Sequence, residues 1–211
     1  MIHRIFLFFF LIFSYSAEAF TQESHEDSSV VFLVYHRFGE NDFPSTNVQI
    51  NQFKEQLKIL IEGGHSFPNI ADTLENLKNK TLHPKKSVVI TVDDGYKSVM
   101  TEAWPLLKKH NIPLTLFIAT DSIDSGNKNY LTWDDIRQLI SEGVTISHHG
   151  ADHGHAPQRS IKSFKTDTLK ANKRFQEELG FIPKIYAYPY GEYTPDIQNT
   201  LRSLGLKFAF A

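Results

Sequence analysis

One apolar stretch that ends on two acids constrains the fold more than any other part of this chain. Residues 87–92 read SVVITV, and Asp93, Asp94 and Gly95 follow directly. A β-branched run of this length is typical of a buried strand in a parallel sheet. Carboxylates at the end of such a strand are costly to desolvate unless they bind a cation or take part in chemistry. At this point a plain helix-capping role for the pair is an equally good interpretation.

Composition narrows both the partners and the possible metal ligands. The chain has 211 residues, of which 41% are hydrophobic, which is enough for one domain with a sizeable core. Its net charge of −2 argues against nucleic acid as a partner, because phosphate binding requires a basic excess. The sequence contains no cysteine and ten histidines, so any metal site must use imidazole and carboxylate ligands.

The first 29 residues predict export followed by a short arm. Residues 1–19 combine Arg4, an unbroken apolar run over residues 5–13 and a small-x-small site at residues 17–19, which is typical of a secretory signal peptide. The apolar run is too short to span a bilayer comfortably, although an uncleaved membrane anchor is the alternative. We therefore expect a periplasmic or secreted protein with no stable membrane span after cleavage. Residues 20–29 are polar and predict a flexible arm before a domain at residues 30–211.

Apolar strands alternate with amphipathic helices along the rest of the chain. The predicted strands are residues 30–35, 87–92, 114–119, 144–147, 185–188 and 206–210. Helical spacing of apolar residues predicts helices between them, at residues 51–62, 70–77, 98–110, 132–143, 160–179 and 194–204. This alternation predicts a parallel sheet, either a barrel or a doubly wound sheet. Neither standard glycine-rich phosphate loop is present in the sequence, which disfavours a nucleotide enzyme.

A histidine cluster follows the fourth predicted strand. Residues 148–155 read HHGADHGH, so four imidazoles fall within eight positions. His149 and His153 are four apart, a spacing that in a helical turn points both rings the same way. Since the carboxyl ends of parallel strands share one rim, we expect this cluster to lie beside Asp93 and Asp94. One carboxylate and two histidines would form a catalytic metal centre with open positions, whereas a solvated His-rich loop is the simpler alternative.

Two neighbouring aspartates beside a cation suggest a division of labour. One of them serves as a metal ligand, and the other is left to act as a general base towards water. Such an arrangement suits the attack of water on an acyl carbon. The residues alone do not decide which aspartate takes which role.

Three segments in order carry a resemblance to a known family. VVITVDDGY, SHHGADHGHA and IYAYPYGEY resemble the ordered signatures of the polysaccharide deacetylases, which form carbohydrate esterase family 4 and are also called the nodulation-deacetylase homology domain. VFLVYHRFGE and LTWDDIRQLISEGVTI further resemble the branch that contains the poly-N-acetylglucosamine deacetylases. The resemblance runs from about residue 30 to the C-terminus.

The resemblance implies a fold, a reaction and a role for each matching residue. The fold would be an irregular (β/α) barrel, and the activity a metal-dependent removal of acetyl groups, N-acetyl first, from an aminosugar polysaccharide or oligosaccharide. By position, Asp93 matches the catalytic base, and the metal ligands match Asp94, His149 and His153. Tyr190 matches the residue whose backbone N–H holds the oxyanion. The metal implied is zinc, with cobalt, nickel or manganese as alternatives.

The sequence departs from the family pattern at three places. His148 to Gly150 stand where the family has Ser-His-Thr, and Ala187 replaces an arginine. The late histidine that acts as general acid in the family has no counterpart before Ala211. We therefore expect a barrel that is incomplete at the C-terminus and, if the mature protein ends there, weak or no activity. The alternatives are an inactive carbohydrate-binding homologue and an O-acetyl esterase acting on a xylan-like polymer.

Several other aromatic and imidazole residues are expected to be structural. His36 follows the first predicted strand, where a polar residue more often satisfies backbone groups than lines a site. Spacing places Trp104 and Trp133 on helical faces that pack in the core, and the alternation of Tyr186 and Tyr188 also favours packing.

Overall fold

The computed structural model describes residues 29–211. The predicted signal peptide and nearly all of the predicted arm therefore lie outside the described residues, and both stay predictions. Within residues 29–211, none of the helices combines the length and apolar character needed to cross a bilayer.

The strands form one main sheet and one short pair. The strands are β1 (Val30–Tyr35), β2 (Arg37–Phe38), β3 (Asn47–Val48), β4 (Ser87–Val92), β5 (Leu114–Ile118), β6 (Thr145–His148), β7 (Ile185–Ala187) and β8 (Phe208–Phe210). Six of them make a parallel sheet in the order β1-β4-β5-β6-β7-β8, while β2 pairs with β3. Helices connect successive strands of the main sheet, as the alternating sequence pattern predicts.

The helices are α1 (Ile50–Glu62), α2 (Ile70–Asn79), α3 (Trp104–Lys109), α4 (Thr120–Asp124), α5 (Trp133–Ser141), α6 (Ile161–Leu179) and α7 (Pro195–Ser203). A π-helical turn, Val99–Ala103, leads into α3. Pro105 lies just after this turn and has no N–H to bond to the preceding turn, which accounts for the irregular helix. The predicted capping box opens α5: the Asp135 N–H donates to the Thr132 hydroxyl (3.2 Å), and the Thr132 N–H donates to the Asp135 carboxylate (2.8 Å).

The main sheet curls into an incomplete barrel. Its two edge strands meet through side chains in the interior, because the ring of Phe32 on β1 lies 4.9 Å, centroid to centroid, from that of Phe210 on β8. Phe117 on β5 packs against the same Phe210 ring at 5.9 Å. Ile70 and Leu74 of α2 join this inner cluster. The predicted (β/α) barrel, incomplete among the described strands, is therefore confirmed.

A larger apolar cluster lies between the sheet and the outer helices. Phe53 of α1, Leu107 of α3, Ile136 of α5 and Phe175 of α6 are all fully buried in it. Full burial of a side chain of this size contributes about 1.5–3 kcal/mol, so this layer fixes the helices on the strands. Trp104 and Trp133 pack here, as their spacing predicts.

The first strand differs from its prediction. The apolar run at residues 30–35 predicts a buried strand, yet β1 lies at the edge of the sheet and pairs with β4 alone. Val31 and Val34 are consequently about half exposed, at 49% and 55%. Every residue of β4, by contrast, is buried. A continuous apolar run thus identifies the strand but not its place in the sheet.

Candidate metal centre

Two strand ends bring the predicted site residues together. β4 delivers Asp93 and Asp94, and β6 delivers His149, with β5 between them. The Asp93 N–H donates to the Tyr35 carbonyl (2.8 Å), which continues the β1–β4 ladder past the strand. The chain then turns sharply, since Asp94 and Gly95 both have positive φ, +72° and +79°. A Cβ on Gly95 would lie 3.1 Å from Ile118, so this turn favours glycine.

Three potential ligand atoms converge at this rim. The Asp94 Oδ1 atom lies 3.0 Å from His153 Nε2 and 3.4 Å from His149 Nε2, and the three ligand atoms all lie within 4.8 Å of one another. Yet this buried oxygen makes no hydrogen bond within the described part of the chain. A buried carboxylate oxygen that faces two ring nitrogens without a hydrogen bond fits a site for a cation.

The tautomer of His149 suits a ligand. Its Nδ1–H donates to the Ala187 carbonyl at 2.9 Å, and a carbonyl can only accept. The lone pair of the neutral ring is therefore on Nε2, the atom that faces Asp94. A backbone carbonyl behind the ring is the usual device that orients a metal-binding histidine.

The rings of His149 and His153 lie side by side, with centroids 4.8 Å apart. The prediction that a helical turn brings them together is wrong. The segment between them is a tight loop, not a helical turn. Gly150 and His153 both have positive φ, +82° and +54°, and this reversal places the rings side by side.

The neighbouring residues His148 and His149 differ in their surroundings, because successive side chains along a strand point to opposite faces. His148 ends β6 fully buried and packs against Phe175 and Tyr186, with ring centroids 5.2 and 5.0 Å away. Burial, and after it the neighbouring His149, lowers the pKa of His148 to about 3, so its ring is neutral at physiological pH. Its Nδ1 accepts the Gly150 N–H at 2.9 Å. His148 therefore supports the loop and is not part of the three-residue cluster.

The pKa values of the two neighbouring aspartates shift in opposite directions. Burial raises the pKa of Asp93, Asp94 adds to the rise, and the imidazoles of His149, His36 and His153 oppose it without cancelling it. Burial alone would also raise the pKa of Asp94, but the adjacent imidazoles of His149 and His153 lower it well below its ordinary value. Adjacent carboxyl groups with diverging pKa values are typical of acid–base sites.

A cavity of about 820 Å³ opens above these side chains. Its lining includes Asp93, Asp94, His149, His153 and Tyr190, so all five predicted site residues face one space. Tyr190 lies in the 3₁₀ turn Pro189–Gly191 with a left-handed backbone, φ +61° and ψ +8°. Its ring packs edge-on against His153 (4.7 Å) and stacks on His155 (3.9 Å).

The sequence profile of one family, described as polysaccharide deacetylase, matches residues 80–209, which is more than half of the chain. The chain belongs to the polysaccharide deacetylase family. This result confirms the predicted family, and the geometry described above is that of a deacetylase-family domain.

Three named proteins show what this deacetylase-family chain is similar to. The chain is 25% identical over 187 residues to YxkH of Bacillus subtilis, which is named as a polysaccharide deacetylase. This match covers 87% of the chain and 64% of YxkH. The chain is 27% identical over 212 residues to the poly-β-1,6-N-acetyl-D-glucosamine N-deacetylase of Staphylococcus epidermidis (strain RP62A), covering 88% of this chain and 73% of that protein. The solved structure of IcaB from Ammonifex degensii is 27% identical, with a TM-score of 0.77, covering 85% of this chain and 82% of that chain.

The structure of this deacetylase domain draws attention to one residue that was expected to be structural. His36 directly follows β1, and the β1–β4 register pairs Tyr35 with Val92, so His36 lies beside Asp93. It lines the same cavity and interacts electrostatically with Asp93. The available signal was its position, because an imidazole directly after a parallel strand occupies the same rim as Asp93 and His149.

Proposed function

We propose that this protein is a metal-dependent hydrolase that removes N-acetyl groups from an aminosugar polysaccharide or oligosaccharide. One observation carries the proposal: Asp94 Oδ1 lies between two imidazole nitrogens, without a hydrogen bond in the described part of the chain, next to a second carboxylate in an open cavity. The names of the poly-N-acetylglucosamine deacetylase relatives, at 26–27% identity, support the substrate class.

The donor set fits a divalent cation. Asp94, His149 and His153 would hold it through one carboxylate oxygen and two imidazole nitrogens. Two histidines and one carboxylate are a known ligand set for catalytic zinc, and zinc is our first choice over cobalt, nickel or manganese. When bound, such an ion supplies a Lewis acid that polarises the acyl oxygen.

Asp93 is assigned the role of general base. It lines the cavity next to the ligand cluster, yet it is not a member of that cluster. Its carboxylate takes a proton from the water that attacks the acetyl carbon. A raised pKa suits this role, since a base works best when its pKa lies closer to the working pH.

His36 is assigned the role of general acid. The leaving amine must gain a proton when the C–N bond breaks, so the reaction needs a proton donor close to the acetyl group. His36 provides an imidazole on the other side of Asp93 from the ligand cluster, at the end of β1. On this assignment the proton donor comes from β1 and lines the same cavity as Asp93.

The backbone N–H of Tyr190 is assigned to the oxyanion. Tyr190 lines the cavity, and its left-handed conformation is unusual for a residue other than glycine. Such conformations cluster at functional sites, where the surrounding structure holds them. Removing one preorganised oxyanion donor costs about 10²–10³ in rate in other hydrolases.

The experiment that tests the proposal measures acetate release from N-acetylglucosamine oligomers by the zinc-loaded protein. We expect release by the wild type and a loss of about 10²–10⁴-fold in Asp93→Asn, which keeps the side-chain volume but removes the base. Asp134→Asn, at an exposed position on α5, is the matched control and should behave as wild type.

Other outcomes separate the alternatives. Acetate release from O-acetylated xylan but not from the aminosugar oligomers would favour the esterase. Binding of the oligomers without acetate release from either substrate would favour the inactive carbohydrate-binding homologue. Full activity in Asp93→Asn would refute the assignment of the base.

Export is the remaining part of the proposal. The charged start, apolar run and small-residue site within residues 1–19 support a cleaved signal peptide, with the deacetylase domain at residues 30–211. N-terminal sequencing of protein recovered from outside the cytoplasm should begin at Phe20. A mature protein that still carries residues 1–19 would contradict this and favour the membrane anchor.

A further inference from the structure

The loop between the two candidate histidine ligands is held by side-chain acceptors at three successive amides. The Gly150 N–H donates to His148 Nδ1 at 2.9 Å. The next two amides share one carboxylate: the Ala151 N–H donates to Asp167 Oδ2 (2.9 Å), and the Asp152 N–H donates to Asp167 Oδ1 (3.0 Å). Asp167 belongs to α6 and thus reaches the loop from a different element.

The carbonyl groups of the same loop are bonded from the opposite side. The Thr120 N–H donates to the Gly150 carbonyl at 3.3 Å, and the Asp121 N–H donates to the Ala151 carbonyl at 3.0 Å. Both donors lie in the first turn of α4. The backbone of residues 150–152 is therefore hydrogen-bonded both to α4 and to the Asp167 carboxylate.

The Asp167 carboxylate is a built feature and not a chance surface contact. Its side chain is only 10% exposed, and Arg159 lies 3.9 Å away while it pairs with Asp152 at 2.9 Å. A Cβ on Gly150 would lie 3.1 Å from Asp167 Oδ2, so the close approach of carboxylate and loop requires glycine there.

The loop needs this support because its backbone is strained. His153 adopts a left-handed conformation (φ +54°), which a residue with a Cβ disfavours. Such conformations persist only where neighbouring groups over-determine them. Hydrogen bonds to an ionised carboxylate are about twice as strong as neutral ones, so a single Asp167 can supply much of that constraint.

We infer that Asp167 is a positioning residue for the metal centre: by holding the Ala151 and Asp152 amides it sets the distance between the rings of His149 and His153. It touches neither the ion nor the substrate. The inference rests on the proposed function, since it assumes that these two rings bind a divalent cation.

The test compares Asp167→Asn and Asp167→Ala with Glu177→Gln in the full chain. The asparagine keeps the volume but has one acceptor oxygen for two N–H donors, and the alanine has none. Glu177→Gln removes an ion pair with Arg174 (2.8 Å) on the same helix, α6, and leaves the amides of Ala151 and Asp152 bonded, so it is the matched control.

Zinc affinity, measured by competition with a chromophoric chelator below the melting temperatures, is the main readout. We expect about a 10-fold weaker affinity in Asp167→Asn and a larger loss in Asp167→Ala, with no change in Glu177→Gln, since changes behind metal ligands typically cost 10–100-fold. The visible spectrum of the cobalt form should change in the Asp167 variants alone. In the metal-free protein, hydrogen exchange at the Ala151 and Asp152 amides should accelerate.

The outcomes are distinguishable. If Asp167→Asn binds zinc as the wild type does while its melting temperature falls, the residue is merely structural and the inference is wrong. If Asp167→Ala does not fold, Asp167→Asn decides alone. If the wild type itself binds no divalent metal, the proposed function fails first and the positioning role falls with it.

Discussion

Asp94 and Asp124 are two aspartates of one domain, one buried and one largely exposed, and their surroundings are opposite. Asp124, at the end of α4, accepts three N–H bonds: from Trp133 Nε1 (2.7 Å), Arg174 Nε (2.8 Å) and Arg174 Nη2 (2.9 Å). Asp94 Oδ1 faces two imidazole nitrogens and has no hydrogen bond within the described residues. One carboxylate is saturated with donors, and the other keeps a free acceptor.

The direction of the pKa shift does not separate these two residues. In both, burial alone would raise the pKa and the basic partners lower it, so the net shift is downward in each. The partners differ in kind, because a guanidinium has no lone pair to offer a cation and an imidazole has one. A structural aspartate is therefore recognised by its donors, and a ligand aspartate by their absence.

The largest expected effect comes from changing Asp94, the aspartate that is assigned to the metal. Asp94→Asn keeps the shape of the side chain but removes the anionic ligand. We expect zinc affinity to fall by more than about 100-fold, since changes behind the ligands already cost 10–100-fold, and acetate release to be lost. Titration with a chromophoric chelator measures the affinity, and near-wild-type binding would overturn the ligand assignment.

A second change separates the acid from the ligands. His36→Gln removes the proposed proton donor and should lower acetate release from the aminosugar oligomers by about 10²–10⁴-fold, with zinc affinity unchanged. A phenolate leaving group needs no proton, so hydrolysis of 4-nitrophenyl acetate should decline much less. Equal losses on both substrates would show that His36 does not act as the acid.

A third change tests Asp124, the aspartate whose oxygens are saturated with N–H donors. Asp124→Asn weakens the bonds to Arg174 and leaves the rim untouched. We expect a loss of about 1 kcal/mol, as for a partly exposed charge-assisted pair, and a melting temperature lower by about 2–4 °C. Zinc affinity should equal that of the wild type. A loss of zinc binding at this site would mean that the two regions are coupled.

The smallest effect concerns a second saturated carboxylate and its dependence on pH. Hydrogen bonds from Gln138 and Trp104, and the ammonium of Lys108, lower the pKa of Glu142 to about 2. Because its folded pKa lies below the ordinary value of 4.5, its stabilising contribution is present above pH 4.5 and is lost as the pH falls towards 2. Glu142→Gln should therefore melt below the wild type at pH 6, and this difference should shrink by pH 3.

Much of the fold follows from local signals in the sequence. β4 is predicted because six consecutive apolar or small residues end on acids, and the start of α5 is predicted because Thr132 and Asp135 form a capping box. The edge position of β1 could not be predicted in this way. An apolar run specifies burial on average, whereas the place of a strand in the sheet depends on every other strand.

The site was predictable to a similar extent. Strand ends identify Asp93, Asp94 and His149 as neighbours, because parallel strands share a rim. The four-residue spacing predicts that His153 lies beside His149, and the two rings are adjacent, but a glycine and a left-handed residue, not a helical turn, bring them together. His36 was assigned to a structural role because a single imidazole carries no partner in the sequence until β1 is placed next to β4.

The three phenylalanine rings that line the cavity matter for which molecules it can admit. The candidate ligands are attached to β4 and β6, whereas the rings of Phe32, Phe117 and Phe210 that line the bottom of the cavity come from β1, β5 and β8. The residues assigned to hold an ion and these three rings thus belong to different strands. Substitutions of these phenylalanines during evolution can therefore change the shape of the cavity without altering the residues assigned to hold the ion.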